Sequence, residues 1–160
     1  MVDVGKFIEG FFYGLMQKEF NNIDACLTDV NGIENEIVIA VSDFKLETFD
    51  GIKHGLDEMG KVVKMIPSTV QHCTVIVEDL SKLKQMAEVF SHPLSLIYHI
   101  GKNLLVNGVD IFGKVQTGLQ AFTKGDYYNF GKCIAEAMDE VFLKAPYPKK
   151  NADYYAFEFI

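Results

Sequence analysis

Apolar positions recur every three or four residues along most of the chain, the pattern of helices with one buried face. At the start, Val4, Ile8, Phe11, Phe12, Leu15 and Met16 fall on one side, with Lys6, Glu9, Tyr13 and Gln17 on the other. This predicts a first helix over about residues 3–19. After a turn at Asn21-Asn22 comes a brief helical segment around Ile23–Val30, broken by Asn31-Gly32. Ile33, Ile37, Val38, Val41 and Phe44 predict the next helix over residues 33–46. The run from Ile37 to Val41 has the β-branched content of a buried strand, but its i, i+3/i+4 spacing favours a helix. Thr48 is a candidate N-cap for a helix carrying Phe49, Ile52, Leu56, Met59, Val63 and Ile66, which Pro67 stops. Ser68 caps the following one, through Val70, Cys73, Val77, Leu80, Leu83, Met86 and Phe90, with Pro93 as its terminator. Residues 94–106 and 109–123 predict two helices joined at Asn107-Gly108, where Asn or Gly takes a left-handed C-cap. Lys124-Gly125 ends that unit. Asp126 then caps a last helix along Tyr127, Phe130, Ile134, Met138, Val141 and Phe142.

With short connections, no hairpin signals and no strand–helix alternation, the pattern predicts an all-α fold, a compact bundle of about six to seven short helices. Residues 1–145 form one domain, and residues 146–160 an irregular aromatic tail. Glycines inside the helices (Gly10/Gly14, Gly51/Gly55/Gly60, Gly113/Gly118) each cost about 1 kcal/mol against Ala. Such a sequence gains either close packing of helices against bulky Phe or room for an apolar ligand. Close packing is the favoured reading.

Composition narrows the function classes. The 160 residues are 49% apolar, with 13 Phe and 7 Tyr and no Trp, which is ample for a core. A formal charge of −7 argues against nucleic acid or an anionic membrane as the main partner. All 15 basic residues are Lys, so no guanidinium fork is present to clamp phosphate or carboxylate. Beside abundant Lys, Asn and Ile, the missing Arg also reads as drift of an AT-rich genome. No apolar stretch reaches the length of a membrane span, and no basic n-region with an apolar run opens the chain. A secreted form would have lost its leader.

The catalytic and metal motifs are missing: no nucleophile elbow, phosphate loop, dinucleotide fingerprint or zinc-protease helix. The sequence therefore designates no catalytic, cofactor-binding or metal-ligating residue. Asp29-Val30-Asn31-Gly32 has its glycine too early for a calcium loop and reads as a turn. Glu136, Asp139 and Glu140 cluster in the last helix, a weak candidate for a divalent cation. His92 and His99 are separated by Pro93, His72 adjoins Cys73, and His54 sits on a polar face. Each reads first as an ordinary surface or core histidine. The cysteines, Cys26, Cys73 and Cys133, lack the clustered spacing of a zinc site. Either all three are free and buried, or two are bridged. A Cys26–Cys73 bridge would close a loop of about 48 residues and contribute about 3–4 kcal/mol. Cys133 would then be left over.

Three stretches carry a resemblance: Phe7-Ile8-Glu9-Gly10-Phe11-Phe12-Tyr13-Gly14-Leu15, the run from Tyr98 to Ile111, and Lys124-Gly125-Asp126-Tyr127-Tyr128-Asn129-Phe130-Gly131-Lys132. Together they resemble a group of small, all-helical, secreted proteins of single-celled eukaryotes that share a GDYxxFG-type motif near the C-terminus. The resemblance spans the chain to about residue 144, leaving Cys133 and the aromatic tail outside the pattern. It implies a helical fold, a secreted or granule-stored location and a Cys26–Cys73 disulfide. It implies no chemistry.

The expected function is therefore non-enzymatic: a helical module that associates with itself or docks on another protein. Its contacts would be the Phe-rich first helix (Phe7, Phe11, Phe12) and the tail (Tyr147, Tyr154, Tyr155, Phe157, Phe159, Ile160). The runner-up is a carrier of a lipid or other apolar small molecule held between helices and lined by Phe and Met. A small hydrolase, with His72 and Cys73 as its first suspects, is a distant third. No cofactor is implied.

Overall fold

Asp3 starts the first helix: its side chain accepts from the Lys6 amide, 3.0 Å away, and so satisfies one of the amides a helix start leaves bare. The structure, a computed structural model, describes residues 1–77 and 80–143. These form α1 (Val4–Met16), a 3-10 turn (Ile23–Cys26), α2 (Val30–Phe44), α3 (Phe49–Thr69), α4 (Thr74–Val77), α5 (Ser81–Ser91), α6 (Pro93–Thr123) and α7 (Tyr127–Phe142). The fold is all-α, a compact helical bundle, and no strand occurs among the described residues.

The caps at Thr48 and Asp126 form as expected, accepting from the amides of Gly51 and Asn129. Gly125 makes the preceding turn with φ of 77°, a conformation that favours glycine. Other expectations are corrected. Pro67 does not stop its helix but lies inside α3, which runs on to Thr69. That near the C-terminus, the proline forfeits a single helical bond. Ser68 consequently caps nothing, and the helix expected through Val70 to Phe90 is divided into α4 and α5. Asn31-Gly32 does not break the chain either. The break falls earlier, at left-handed Asp29, and both residues join the first turn of α2, where Gly32 faces Met65. The expected junction at Asn107-Gly108 is a kink within α6, with Asn107 at φ −117° and ψ 20°.

Two groups of helices enclose the core. In one, α7 lies between α1 and α6; in the other, α2 pairs with α3. Gly10 meets the Tyr128 backbone and Gly14 that of Lys132, so α1 and α7 run in the same direction. Gly131 of α7 in turn abuts the backbone of Phe7 and Phe11. A Cβ at any of these positions would press on main chain, which has nowhere to yield. Two glycines of α3 are covered by rings, Gly55 by Phe44 and Gly60 by Phe90, while Gly51 meets the Asp43 carbonyl. Close packing explains these glycines. α6 runs antiparallel to α7, with Gly118 against Cys133 and Lys114 opposite Glu140.

Candidate functional site

Phe7, Phe11 and Phe12, expected as docking contacts, are wholly buried. This corrects the sequence-based assignment. The Phe7 ring lies 5.7 Å from those of both Phe11 and Phe130, and Phe12 meets Phe20 edge-on at 5.8 Å. All of α1 except its Lys6, Tyr13 and Met16 side is enclosed, because α7 packs on Gly10 and Gly14 and the 3-10 turn closes over Gly5 and Glu9. Met59, Met86 and Met138 are likewise core. The tail contacts, Tyr147, Tyr154, Tyr155, Phe157, Phe159 and Ile160, and the boundary at 145 lie outside the described residues.

Cys26 and Cys73 form a disulfide, with Cα atoms 5.2 Å apart and a sequence separation of 47. It ties the 3-10 turn to the segment leaving α3. Alongside it, the Thr28 amide donates to the Thr69 carbonyl at 3.0 Å. The bond removes Cys73 as a nucleophile, so a His72–Cys73 pair does not exist. Cys133 keeps its thiol, half-buried, and burial followed by the nearby Glu136 charge pushes its pKa up. A thiol so placed is a poor nucleophile.

The other ionisable candidates are drawn apart. Glu136 lines an open groove of about 660 Å³ between α6 and α7, with Asn107, Asp110, Lys114, Thr117 and Cys133. Asp139 is buried 3.6 Å from the Lys82 ammonium, which also donates to the Leu15 carbonyl at the end of α1. Glu140 takes Lys114 at 2.8 Å, and Asp110 takes the same ammonium at 3.1 Å. Burial pushes the Glu140 carboxyl up, and hydrogen bonding with Asp110 adds to that. The three acids therefore face three surroundings, and among the described residues no group of three or more ligands converges for a metal. His92 is exposed beside Glu88, at 3.2 Å, whereas His99 is buried with Nδ1 3.2 Å from the Val141 carbonyl. Burial holds His99 below its usual range, so it is a neutral core group.

Two features escaped the sequence. Glu36 and Glu58 bring their carboxyls together between α2 and α3, a meeting that depends on helix pairing and leaves no mark in either segment. The second is apolar surface. Val38, expected in the core, is 52% exposed because Ile33, Ile37, Ala40, Val41 and Phe44 already fill the inner face of α2. Ile39, Leu46 and Phe49 are exposed as well, so four large apolar side chains meet solvent between the middle of α2 and the first residue of α3. Nothing local marks Val38 as the exposed one, since the adjacent pair Ala40 and Val41 on the same helix are both buried.

No helix among the described residues is long and apolar enough to cross a membrane. Residues 1–143 match the family model for SctB-like proteins, described as Secreted protein B-like, and the chain belongs to that family. Family and disulfide both point to secretion. No curated protein and no solved structure matches the chain.

Proposed function

We propose that this member of the SctB-like family is a secreted or granule-stored, non-enzymatic helical module that assembles with copies of itself through its C-terminal segment, residues 146–160. The observation that carries the reading is the exposure of Val38, Ile39, Leu46 and Phe49, four large apolar side chains between the middle of α2 and the start of α3. Exposed apolar side chains that gather into a patch commonly mark a contact, which supports this reading. The segment after residue 145 has the matching chemistry, with Tyr154, Tyr155, Phe157, Phe159 and Ile160 in its last seven positions. Burial of the α1 rings favours the tail over α1 as the donor, and the dispersal of the acids, histidines and thiols favours binding over catalysis.

Light scattering coupled to gel filtration tests the proposal on three proteins: the full chain, a chain lacking 146–160, and the full chain with Val38→Lys and Ile39→Lys. The full chain should run as an oligomer, and both alterations should return it to the mass of one chain. An oligomer that survives removal of 146–160 would overturn the tail as the contact. One that survives the lysines would overturn Val38 and Ile39 as the receiving surface.

A further inference from the structure

We propose that Glu36 on α2 and Glu58 on α3 share a single proton, and that this proton makes the pair a pH-responsive clasp between the two helices. The antiparallel packing of α2 on α3, with Gly32 against Met65 at one end and Phe44 against Gly55 at the other, puts both glutamates on the stretch between those contacts. Their carboxyls are within hydrogen-bonding reach. The Oε2 atom of each is sealed from solvent and has no donor. Two ionised carboxylates have only acceptors to offer one another, and leaving both oxygens unsatisfied would be costly. One proton between them supplies the missing donor.

The surrounding charges decide which glutamate holds it. Lys61, one turn along α3, lies 2.9 Å from Glu58 Oε1, so Oε2 is the oxygen of Glu58 left without a donor. The charges acting on Glu36 are Glu58 and Lys61, both on α3, while Asp57 acts on Lys61. Glu34, the nearest acid along α2, is occupied by the Val2 amide at 2.7 Å. The hydrogen bond to Glu58, then burial, then the Glu58 charge raise the Glu36 carboxyl. The hydrogen bond from Glu36 lowers Glu58, and Lys61 lowers it further. Glu36 is the protonated partner.

The sign of the pH effect follows. A group raised in the folded state adds stability that is complete below its ordinary value, 4.5 for Glu36, and is lost as pH climbs through the raised value. Glu58, lowered, adds stability that is complete above 4.5 and is lost as pH falls through the lowered value. The clasp is therefore tightest in mildly acidic solution and loosens toward neutrality, when a second negative charge forms between the helices. His99 works the other way: lowered by burial, its contribution is complete above 6.5 and lost as pH falls through the lowered value. The difference between wild type and a Glu36 variant isolates the pair from His99.

Two measurements on the full chain test this. Carbon NMR of the glutamate side chains should show Glu36 titrating above the ordinary range and Glu58 below it, with Glu36 returning toward the ordinary range in Glu58→Gln. Urea unfolding between about pH 4 and 8 should show wild type losing about threefold to tenfold in folding equilibrium constant relative to Glu36→Gln as pH rises, solvent around the half-buried pair setting the lower figure. The side-chain amide of the Glu36→Gln variant keeps a permanent N–H donor toward Glu58 and cannot ionise. Parallel wild-type and variant curves would overturn the clasp, as would two glutamates titrating together at the ordinary value. Should Glu36→Gln fail to fold, the NMR titration of wild type decides alone.

Discussion

The same substitution has opposite signs at two glycines of this chain, because what matters is the space beside each one. A methyl at Gly10 would press on the Tyr128 backbone, and helix α7 would have to move to admit it. Gly113, exposed on α6, has nothing within 4 Å of the position a Cβ would take. Gly10→Ala should therefore destabilise by about 2 kcal/mol or more through overpacking. Gly113→Ala should stabilise by about 0.5–1 kcal/mol, by helix propensity and a less flexible unfolded chain. Urea midpoints of the two variants check both signs. Equal effects would mean that α1 and α7 do not meet main chain to main chain. The residue scale also explains why His99 is no catalytic candidate: its ring is enclosed and engaged with Val141, so its chemistry serves the core.

At the scale of elements, helix starts separate real caps from apparent ones. Thr48 and Asp126 each hold an amide three residues on, at 3.0 and 3.1 Å, whereas Ser68 is exposed within α3. Thr48→Ala and Asp126→Ala should each lower stability by about 1 kcal/mol. Ser68→Ala should be close to neutral, and thermal melts of the three variants would tell a working cap from a surface serine. The contrast shows where the sequence was informative. Period and capping residues located the helices carrying Phe7, Leu56, Ile111 and Ile134, because those signals are local and strongly repeated. They failed at Pro67, where the burial of Ile66, Thr69 and Val70 outweighs one lost backbone bond. They failed again at Val38, since periodicity gives a face but not which helix covers it. The sequence offers Phe7, Phe11 and Phe12 of α1 as contacts, whereas the structure buries all three. The partner of α1, α7, lies more than a hundred residues away, and no local window contains both. The Glu36–Glu58 meeting was invisible for the same reason.

At the scale of the whole molecule, the two helix groups make the disulfide more than a local staple. The α1–α7–α6 group and the α2–α3 pair meet mostly through their shared core and through α5. Cys26 leaves the 3-10 turn that follows α1, and Cys73 leaves the end of α3, so the bond links one group to the other. Its hold on the unfolded chain depends on the 47-residue separation and amounts to about 4 kcal/mol. Small domains commonly retain only about 5–15 kcal/mol in total, so the loss would reach a large share of stability. Cys26→Ser with Cys73→Ser should lower the urea midpoint markedly, and a reducing agent should do the same to wild type while leaving the double variant unchanged. Alkylation read by intact mass completes the test. The folded, unreduced chain should expose no more than the single thiol of Cys133, and the reduced, unfolded chain should take up three groups. A second reactive thiol before reduction would mean that the pairing is wrong. A reducing agent without effect on wild type would mean that packing between the two groups, and not the bridge, keeps them together.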